Sequence, residues 1–203
     1  MTGQEVLRML KRFGGILTDD HFVYTSGRHG SSYVNKNALY PRTREISLMC
    51  LALAERFDGD GIEAVIAPAI GGIVMSQWVA HHLSVMAGKE ILGVFVEKAP
   101  DGGFAFTREY DRLVSGKNVL AVEDVLTTGG SLRKVIEATR AADGRVGHVA
   151  ALCNRGSLSI ENFPGIRKFT VLLDFPLESW DPAECPLCAA GVPVNARFGK
   201  GAR

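Results

Sequence analysis

The sequence has no block of like charges and almost no net charge. Its 203 residues include 23 lysines and arginines against 22 aspartates and glutamates, which gives a formal charge of +1. Nucleic acids and anionic membranes are bound largely through an excess of positive charge, so we expect neither as a partner. An anionic ligand would have to be held by local groups.

The sequence also lacks a recognisable secretory or membrane segment and is poor in cysteine. The first residues show no basic stretch followed by an apolar run and a cleavage site. We therefore expect a cytoplasmic protein whose four cysteines are reduced. Residues 64–88 contain no charged side chain, but Pro68 and two adjacent glycines interrupt them. A strand, a turn and a buried helix explain this stretch better than a membrane span.

Short apolar runs alternate with helix-like stretches along most of the chain. The apolar runs are residues 64–67, 91–96, 119–122, 148–152 and 169–173, and the helical patterns are residues 3–13, 41–57, 73–86 and 131–142. Nearly continuous apolar strands between helices are typical of a parallel sheet that is covered on both faces. The pattern fails between residues 98 and 117, where we predict a mobile excursion with a short hairpin around residues 104–110.

The segment VLAVEDVLTTGGS, residues 119–131, carries the clearest chemical signal. A buried strand ends on Glu123 and Asp124, and the chain then turns into a helix that begins near Ser131. Ligands of open α/β sheets bind outside the carboxyl ends of the strands. The free amides, hydroxyls and glycines of this turn suit a phosphate; they belong to Thr127, Thr128, Gly129, Gly130 and Ser131.

The two carboxylates suit the hydroxyls of a sugar or a divalent cation, so the segment as a whole predicts a phosphorylated sugar as ligand. An ordinary strand end followed by a capped turn is the alternative interpretation. Neither GxGxxG nor GxxxxGK[ST] occurs at this junction, which argues against dinucleotide and P-loop nucleotide sites.

The same segment resembles the phosphoribosyl diphosphate binding motif of type I phosphoribosyltransferases. Three further segments are similar to orotate phosphoribosyltransferases: FVYTSGRHGSSYVNKN at residues 22–37, APAIGGI at residues 67–73 and NRG at residues 154–156. In that order, they resemble the family's base-binding segment, its pyrophosphate loop and the segment whose arginine contacts the carboxylate of orotate. The resemblance implies that Glu123 and Asp124 hold the ribose hydroxyls and that residues 127–131 hold the 5′-phosphate.

The resemblance also implies a fold and a set of substrate contacts. The fold is the type I phosphoribosyltransferase α/β fold, a central parallel sheet with helices on both faces and a small N-terminal hood. We expect a hood at residues 1–40, a core at residues 41–180 and a packed C-terminal tail at residues 181–203. The implied substrate-binding residues outside the acidic motif are Ser26, Tyr33, Ala69, Ile70, Gly71, Gly72 and Arg155.

Two of those residues have simple chemical reasons to meet orotate, which is a planar anion. Tyr33 could lie against the base, and Arg155 could bind the carboxylate through two hydrogen bonds. Taken alone, Tyr33 could equally be a half-buried strand aromatic and Arg155 a surface ion-pair partner.

The implied reaction joins orotate and phosphoribosyl diphosphate into orotidine 5′-phosphate and pyrophosphate. Mg²⁺ would come mainly with the substrate, with no fixed metal site on the protein, and the family suggests a homodimer. Members of the family close a loop rich in lysine and histidine over the reacting centre. Here residues 97–110, EKAPDGGFAFTREY, contain no histidine, which leaves Lys98 and Arg108 as the candidate catalytic cations beside Glu123 and Asp124.

Two other functions remain open from the sequence. One is transfer to a different base, such as a purine, and the other is a non-catalytic regulator that senses phosphoribosyl diphosphate.

The C-terminal CPLC, residues 185–188, has two interpretations. It could be half of a structural zinc site, because tetrahedral zinc takes four such ligands. The sequence has no second CxxC or HxH pair. We therefore favour a tight turn that packs against a neighbouring surface. His29 in the base-binding segment could contact substrate or be purely structural.

Overall fold

The protein is described by a computed structural model that covers residues 1–24 and 26–199. Its helices are α1 (Gly3–Arg12), α2 (Thr43–Ala54), α3 (Gly71–Ala87), α4 (Tyr110–Val114), α5 (Gly130–Ala141) and α6 (Pro186–Ala189). Its strands are β1 (Ile16–Leu17), β2 (Phe22–Val23), β3 (His29–Gly30), β4 (Tyr33–Val34), β5 (Ala64–Pro68), β6 (Leu92–Lys98), β7 (Phe104–Ala105), β8 (Asn118–Leu126), β9 (Arg145–Asn154) and β10 (Lys168–Asp174).

A six-stranded sheet in the order β10-β9-β8-β5-β6-β7 organises the molecule. Its first five strands run parallel, and only the short edge strand β7 is antiparallel to its neighbour. These five parallel strands are the five apolar runs of the sequence, so the predicted sheet is confirmed.

Both faces of the sheet are buried, as the apolar strands require. Alternate residues of β8 enter different cores: Leu120 and Val122 pack on the face covered by α1, α2 and α3. Val119 and Ala121 pack on the face covered by α4 and α5. The predicted α/β fold with helices on both faces is therefore confirmed.

The N-terminal segment contributes to both the core and the hood. Val6 and Leu10 of α1 are buried in the same core as α2 and α3. The following strands form two small antiparallel pairs, β1 with β4 and β2 with β3. These two strand pairs, with the turns that join them, constitute the hood.

The segment between β6 and β8 differs from its prediction. The hairpin is formed by Glu97 and Lys98 pairing with Phe104 and Ala105, so it extends the sheet edge and lies earlier than predicted. Residues 110–114, which the prediction left within the irregular excursion, form the short helix α4. The reason is packing, because Val114 is fully buried and the ring of Tyr110 contacts that of Phe95.

Within the described part of the chain, no helix combines the length and the apolar character that a membrane crossing requires.

Candidate active site

Most of the predicted site residues lie where the connections between strands change direction across the sheet. From β5 the chain moves to β6 on one side, whereas β8, β9 and β10 follow one another on the other side. The loops that leave the carboxyl ends of β5 and β8 therefore diverge and leave a crevice between them, which is the usual ligand site of open α/β sheets. Residues 69–72 and residues 127–131 are these two loops.

Glu123 and Asp124 lie near the carboxyl end of β8, which continues to Leu126 and so runs two residues further than the sequence predicts. Both acids are almost completely buried, with 8% and 2% of their surfaces exposed. Burial, followed by the neighbouring Asp124 carboxylate, raises the pKa of Glu123. Two adjacent carboxyl groups removed from water resist simultaneous ionisation. Glu123 therefore holds a proton more readily than an exposed glutamate does.

Asp124 has two partners from the N-terminal segment that sequence reasoning missed. The hydroxyl of Tyr40 donates a short hydrogen bond to Oδ2 of Asp124. The ammonium of Lys36 lies 3.1 Å from the same oxygen and forms an ion pair with it. Desolvation and the acidic neighbours raise the pKa of Tyr40, so its phenol stays a donor. Tyr40 and Lys36 together hold the Asp124 carboxylate in one position.

The loop after β8 presents backbone amides in the way that the sequence predicts. Helix α5 starts at Gly130, and no side chain caps its first turn. Gly130 donates a long hydrogen bond of 3.4 Å to the Thr128 hydroxyl. Among residues 1–24 and 26–199, the amides of Thr127, Thr128, Gly129 and Ser131 have no acceptor. Free amides at a helix start are a suitable site for a phosphate.

The loop after β5 approaches the acidic pair closely. The peptide bond between Ala69 and Ile70 is cis, and the Ile70 side chain is 85% exposed. A methyl group at Gly71 would clash with Oδ2 of Asp124 and with the hydroxyl of Tyr40. Glycine at this position therefore allows the two loops to meet.

We expect Gly71→Ala to destabilise the protein more than Gly130→Ala does. Both glycines open a helix, so the added methyl changes helix propensity alike at the two positions. At Gly130 the methyl meets only the Thr128 hydroxyl at 3.4 Å, an ordinary contact, whereas at Gly71 it overlaps Asp124 and Tyr40. Overpacking of this kind costs about 1–3 kcal/mol. Urea unfolding of the two variants measures the difference, and equal midpoints would contradict it.

A cavity of about 350 Å³ lies beside the loop that follows β8. Predicted residues Tyr33, Thr127 and Arg155 line it, together with Tyr24 and Lys36, which sequence reasoning did not select. Nε of Arg155 donates to the Thr127 hydroxyl at 2.8 Å. The guanidinium of Arg155 also lies over the ring of Tyr24 at 5.5 Å. Aromatic faces beside a cation suit a planar anion.

A close backbone contact explains why the third residue of the NRG segment, Gly156, is a glycine. A methyl group at Gly156 would overlap the carbonyl oxygen of Thr127. The backbone of Arg155 donates to the carbonyl of Leu126 at 2.9 Å. The loops after β8 and β9 are thereby held together, which keeps Arg155 and the cavity that it lines beside the loop after β8.

Three predicted residues are not brought to this centre. Ser26 is exposed and accepts a long hydrogen bond from the backbone of Arg28. Arg108 pairs with Glu97 at 3.4 Å and lies over the ring of Phe95. Among the described residues, neither Lys98 nor Arg108 forms an ion pair with Glu123 or Asp124.

A larger cleft of about 560 Å³ lies at the opposite, amino-terminal end of the strands. Arg140, Arg145 and Arg167 line it, and none of the predicted site residues does. The cavity beside the loop after β8 is therefore the better candidate for the acceptor base.

Residues 40–182 of the chain match the family described as "Phosphoribosyl transferase domain". This match covers more than half of the chain and agrees with the fold and with the acidic motif at the end of β8. The fold and the site thus define a phosphoribosyltransferase.

Sequence relatives and a solved structure indicate which phosphoribosyltransferase family the chain belongs to. The orotate phosphoribosyltransferase of Pelotomaculum thermopropionicum is 37% identical over 194 residues, which are 96% of this chain and 96% of that protein. The orotate phosphoribosyltransferase of Chlorobaculum parvum is 36% identical over 97% of this chain and 95% of that protein. The crystal structure of the Mycobacterium tuberculosis orotate phosphoribosyltransferase shares the fold, with a TM-score of 0.66 at 23% identity over 84% of this chain and 94% of that one. The chain belongs to the orotate phosphoribosyltransferase family, and the resemblance seen in the sequence is confirmed.

Proposed function

We propose that the protein transfers the phosphoribosyl group of phosphoribosyl diphosphate to orotate and releases pyrophosphate, in the synthesis of pyrimidine nucleotides. The observation that carries the proposal is the meeting of three features at one crevice. These are the acidic pair Glu123 and Asp124, the free amides of the loop after β8, and the cavity lined by Tyr33 and Arg155. They match the ribose hydroxyls, the 5′-phosphate and a planar anionic base in turn.

The assignment of the substrate contacts follows the same geometry. Thr127, Thr128, Gly129, Gly130 and Ser131 hold the 5′-phosphate, and Ala69, Ile70, Gly71 and Gly72 face the diphosphate. Tyr33 and Arg155 take the orotate ring and its carboxylate. Ser26 does not line the cavity, and its role as a substrate contact is proposed from the resemblance of residues 22–37 alone.

In the proposed reaction the protein contributes mainly electrostatic stabilisation of the transition state. In the proposed reaction the bond from C1 of the ribose to the diphosphate oxygen breaks largely before the orotate nitrogen attacks, so positive charge builds on the sugar. The carboxylate of Asp124 stabilises this charge from the end of β8. A fixed charge in a site that excludes water is worth more than the same charge in solution.

Mg²⁺ belongs to the proposal as a cofactor that arrives with the substrate. The donors present are hard carboxylate oxygens of Glu123 and Asp124, which fit this cation. When bound, Mg²⁺ neutralises charge on the departing diphosphate. Asp124 is already paired with Lys36 and Tyr40, so the substrate oxygens supply most of the ligands.

The remaining parts of the proposal concern the loop, the assembly and the location. Lys98 and Arg108 would complete the site when the segment after β6 moves over it, because arginine and lysine stabilise a leaving diphosphate. A homodimer and a cytoplasmic location are proposed with them, from the resemblance and the composition.

The experiment that tests this function is pyrophosphate release with Mg²⁺ and phosphoribosyl diphosphate, with orotate or adenine as the acceptor. We expect rapid release with orotate and none above background with adenine. A preference for adenine would show that the acceptor is a purine rather than orotate. Thermal stabilisation by phosphoribosyl diphosphate without turnover on any base would instead favour a non-catalytic sensor.

A further inference from the structure

Four potential metal ligands lie together on the side of the hood, outside the proposed active site. They are His21 and His29 from the hood and Cys185 and Cys188 from the C-terminal tail. Each offers one nitrogen or sulfur atom, and these four atoms all lie within 4.8 Å of one another. His21 and Cys185 are almost completely buried, at 1% and 3% exposure. The fold therefore supplies the second pair of ligands that no local spacing in the sequence revealed.

The separations suit one tetrahedral ion. Nε2 of His21 lies 2.8 Å from Nδ1 of His29 and 3.6 Å from Sγ of Cys185. Sγ of Cys188 lies 3.3 Å from Nδ1 of His29 and 3.8 Å from Nε2 of His21. Zinc with ordinary bond lengths to sulfur and nitrogen places its ligand atoms about 3.3–3.8 Å apart. Of these four distances only the one between the two nitrogens is shorter, and the two remaining pairs lie within 4.8 Å.

The orientation of His21 is fixed from outside the cluster. Its Nδ1 lies 2.8 Å from the carbonyl oxygen of Val192, which can only accept a hydrogen bond. Nδ1 must therefore carry the proton, and the lone pair of Nε2 points at His29 and the two cysteines. A backbone carbonyl that orients a histidine in this way is the usual outer partner of a metal ligand.

We propose that His21, His29, Cys185 and Cys188 form a structural zinc site. Two thiolates and two imidazoles select zinc over magnesium, calcium or manganese, which prefer oxygen ligands. Four protein ligands leave no open position for a water or a substrate, so the role is structural rather than catalytic.

The site would fasten the tail to the hood. The backbone of Asn195 donates to the carbonyl of His21 at 2.7 Å, and His29 and Trp180 exchange backbone hydrogen bonds. Beyond these contacts the tail brings Phe198 against the ring of Tyr33, 5.7 Å between centroids. The zinc site would therefore stabilise one wall of the base cavity without touching it.

The first test is the zinc content of the full-length protein purified without an affinity tag, measured by inductively coupled plasma mass spectrometry. We expect one zinc per chain, and less than a tenth of that in Cys188→Ser and in His29→Ala. Cys188→His restores a fourth ligand and should retain the zinc. His81→Ala removes an exposed histidine of α3 and should also retain it. Cys188 is exposed, so its replacement does not disturb a core.

The second test replaces zinc with cobalt(II), whose spectrum reports the ligands. Tetrahedral coordination by two thiolates should give strong visible bands and a thiolate-to-cobalt charge-transfer band. Cys188→His should keep the visible bands and lose about half of the charge-transfer intensity. Neither readout depends on transferase activity, so failure here is distinguishable from failure of the proposed function.

Three results would overturn the zinc site. The first is a metal-free protein in which the thiol of Cys188 reacts freely with a thiol reagent, and the second is a disulfide between Cys185 and Cys188 in protein purified under reducing conditions. The third is an equal zinc content in Cys188→Ser, His29→Ala and the parent chain, which would mean adventitious zinc.

The fastening role has its own test. Removal of zinc from a genuine site with a chelator should expose the tail to proteolysis before the core, and an unchanged cleavage pattern would contradict the fastening role.

Discussion

Asp124→Asn should lower kcat by about two to three orders of magnitude while the KM for phosphoribosyl diphosphate changes little. The carboxylate is buried and held by Tyr40 and Lys36, so its charge is fixed in place before the reaction begins. Removing one such preorganised electrostatic group from an enzyme site typically costs about 10²–10³ in kcat. Asparagine has the same size and keeps an oxygen that accepts from Tyr40. Steady-state kinetics with both substrates measures the effect.

The matched control for Asp124→Asn is Thr128→Val. Valine keeps the shape of threonine but removes a hydroxyl that we assign to the 5′-phosphate. The phosphate is equally charged in the ground state and the transition state, so its binding contributes mainly to KM. We expect a KM for phosphoribosyl diphosphate raised about tenfold, or about 1.4 kcal/mol, with kcat near the parent value. The reverse ranking of the two variants would show that the halves of the motif are misassigned.

A loss of folding must be separated from a loss of catalysis in Asp124→Asn. The substitution leaves the ammonium of Lys36 without its partner, but Lys36 is half exposed and can be solvated. Thermal unfolding of the variant should therefore stay close to that of the parent. A drop in kcat accompanied by early unfolding would be a structural effect and would not support the assignment.

The elements that the sequence predicts are those with strong local patterns. The central strands carry continuous apolar runs that only a sheet covered on both faces can bury, and residues 119–131 place the acids and the glycine turn on adjacent positions. The strand order in the sheet then determines which loops meet, because β5 and β8 are neighbours there although β6 and β7 separate them in the chain. The acidic pair and the glycine turn, on which the proposed phosphoribosyl site depends, could thus be predicted from one segment.

The features that the sequence did not predict depend on contacts between segments that are distant in the chain. Tyr40 and Lys36 reach Asp124 across 84 and 88 positions of the sequence. His21 meets Cys185 across 164 positions. The two histidines have no metal-binding spacing of their own, because His21 precedes strand β2 of the hood hairpin and His29 lies in the partner strand β3. Helix α4 and strand β7 are too short for their periodicity to be recognised, and packing on β6 decides their form.

Arg155→Gln should raise the KM for orotate by about 30- to 150-fold and leave the KM for phosphoribosyl diphosphate unchanged. Arg155 lines the base cavity, and its guanidinium is fixed by the Thr127 hydroxyl and by the ring of Tyr24. A guanidinium that binds a carboxylate through two hydrogen bonds contributes about 2–3 kcal/mol, which corresponds to that change in KM. Glutamine keeps polarity but loses the charge and the second bond.

The control for charge alone is Arg145→Gln. Arg145 pairs with Glu63 at 3.7 Å and lines the cleft at the opposite end of the strands. This variant loses the same charge from the protein as a whole, but we expect it to leave both KM values unchanged. A rise in the KM for orotate in Arg145→Gln would attribute the effect to net charge rather than to the cavity.

Uracil, which is orotate without its carboxylate, separates the two possible roles of Arg155. If the guanidinium binds that carboxylate, the parent enzyme should favour orotate strongly over uracil, and Arg155→Gln should lose most of this preference. If Arg155 acts instead by positioning Thr127, the variant should lose affinity for phosphoribosyl diphosphate and keep its preference for orotate. The ratio of kcat/KM for the two bases decides between carboxylate recognition and loop support, since only the first depends on what the base carries.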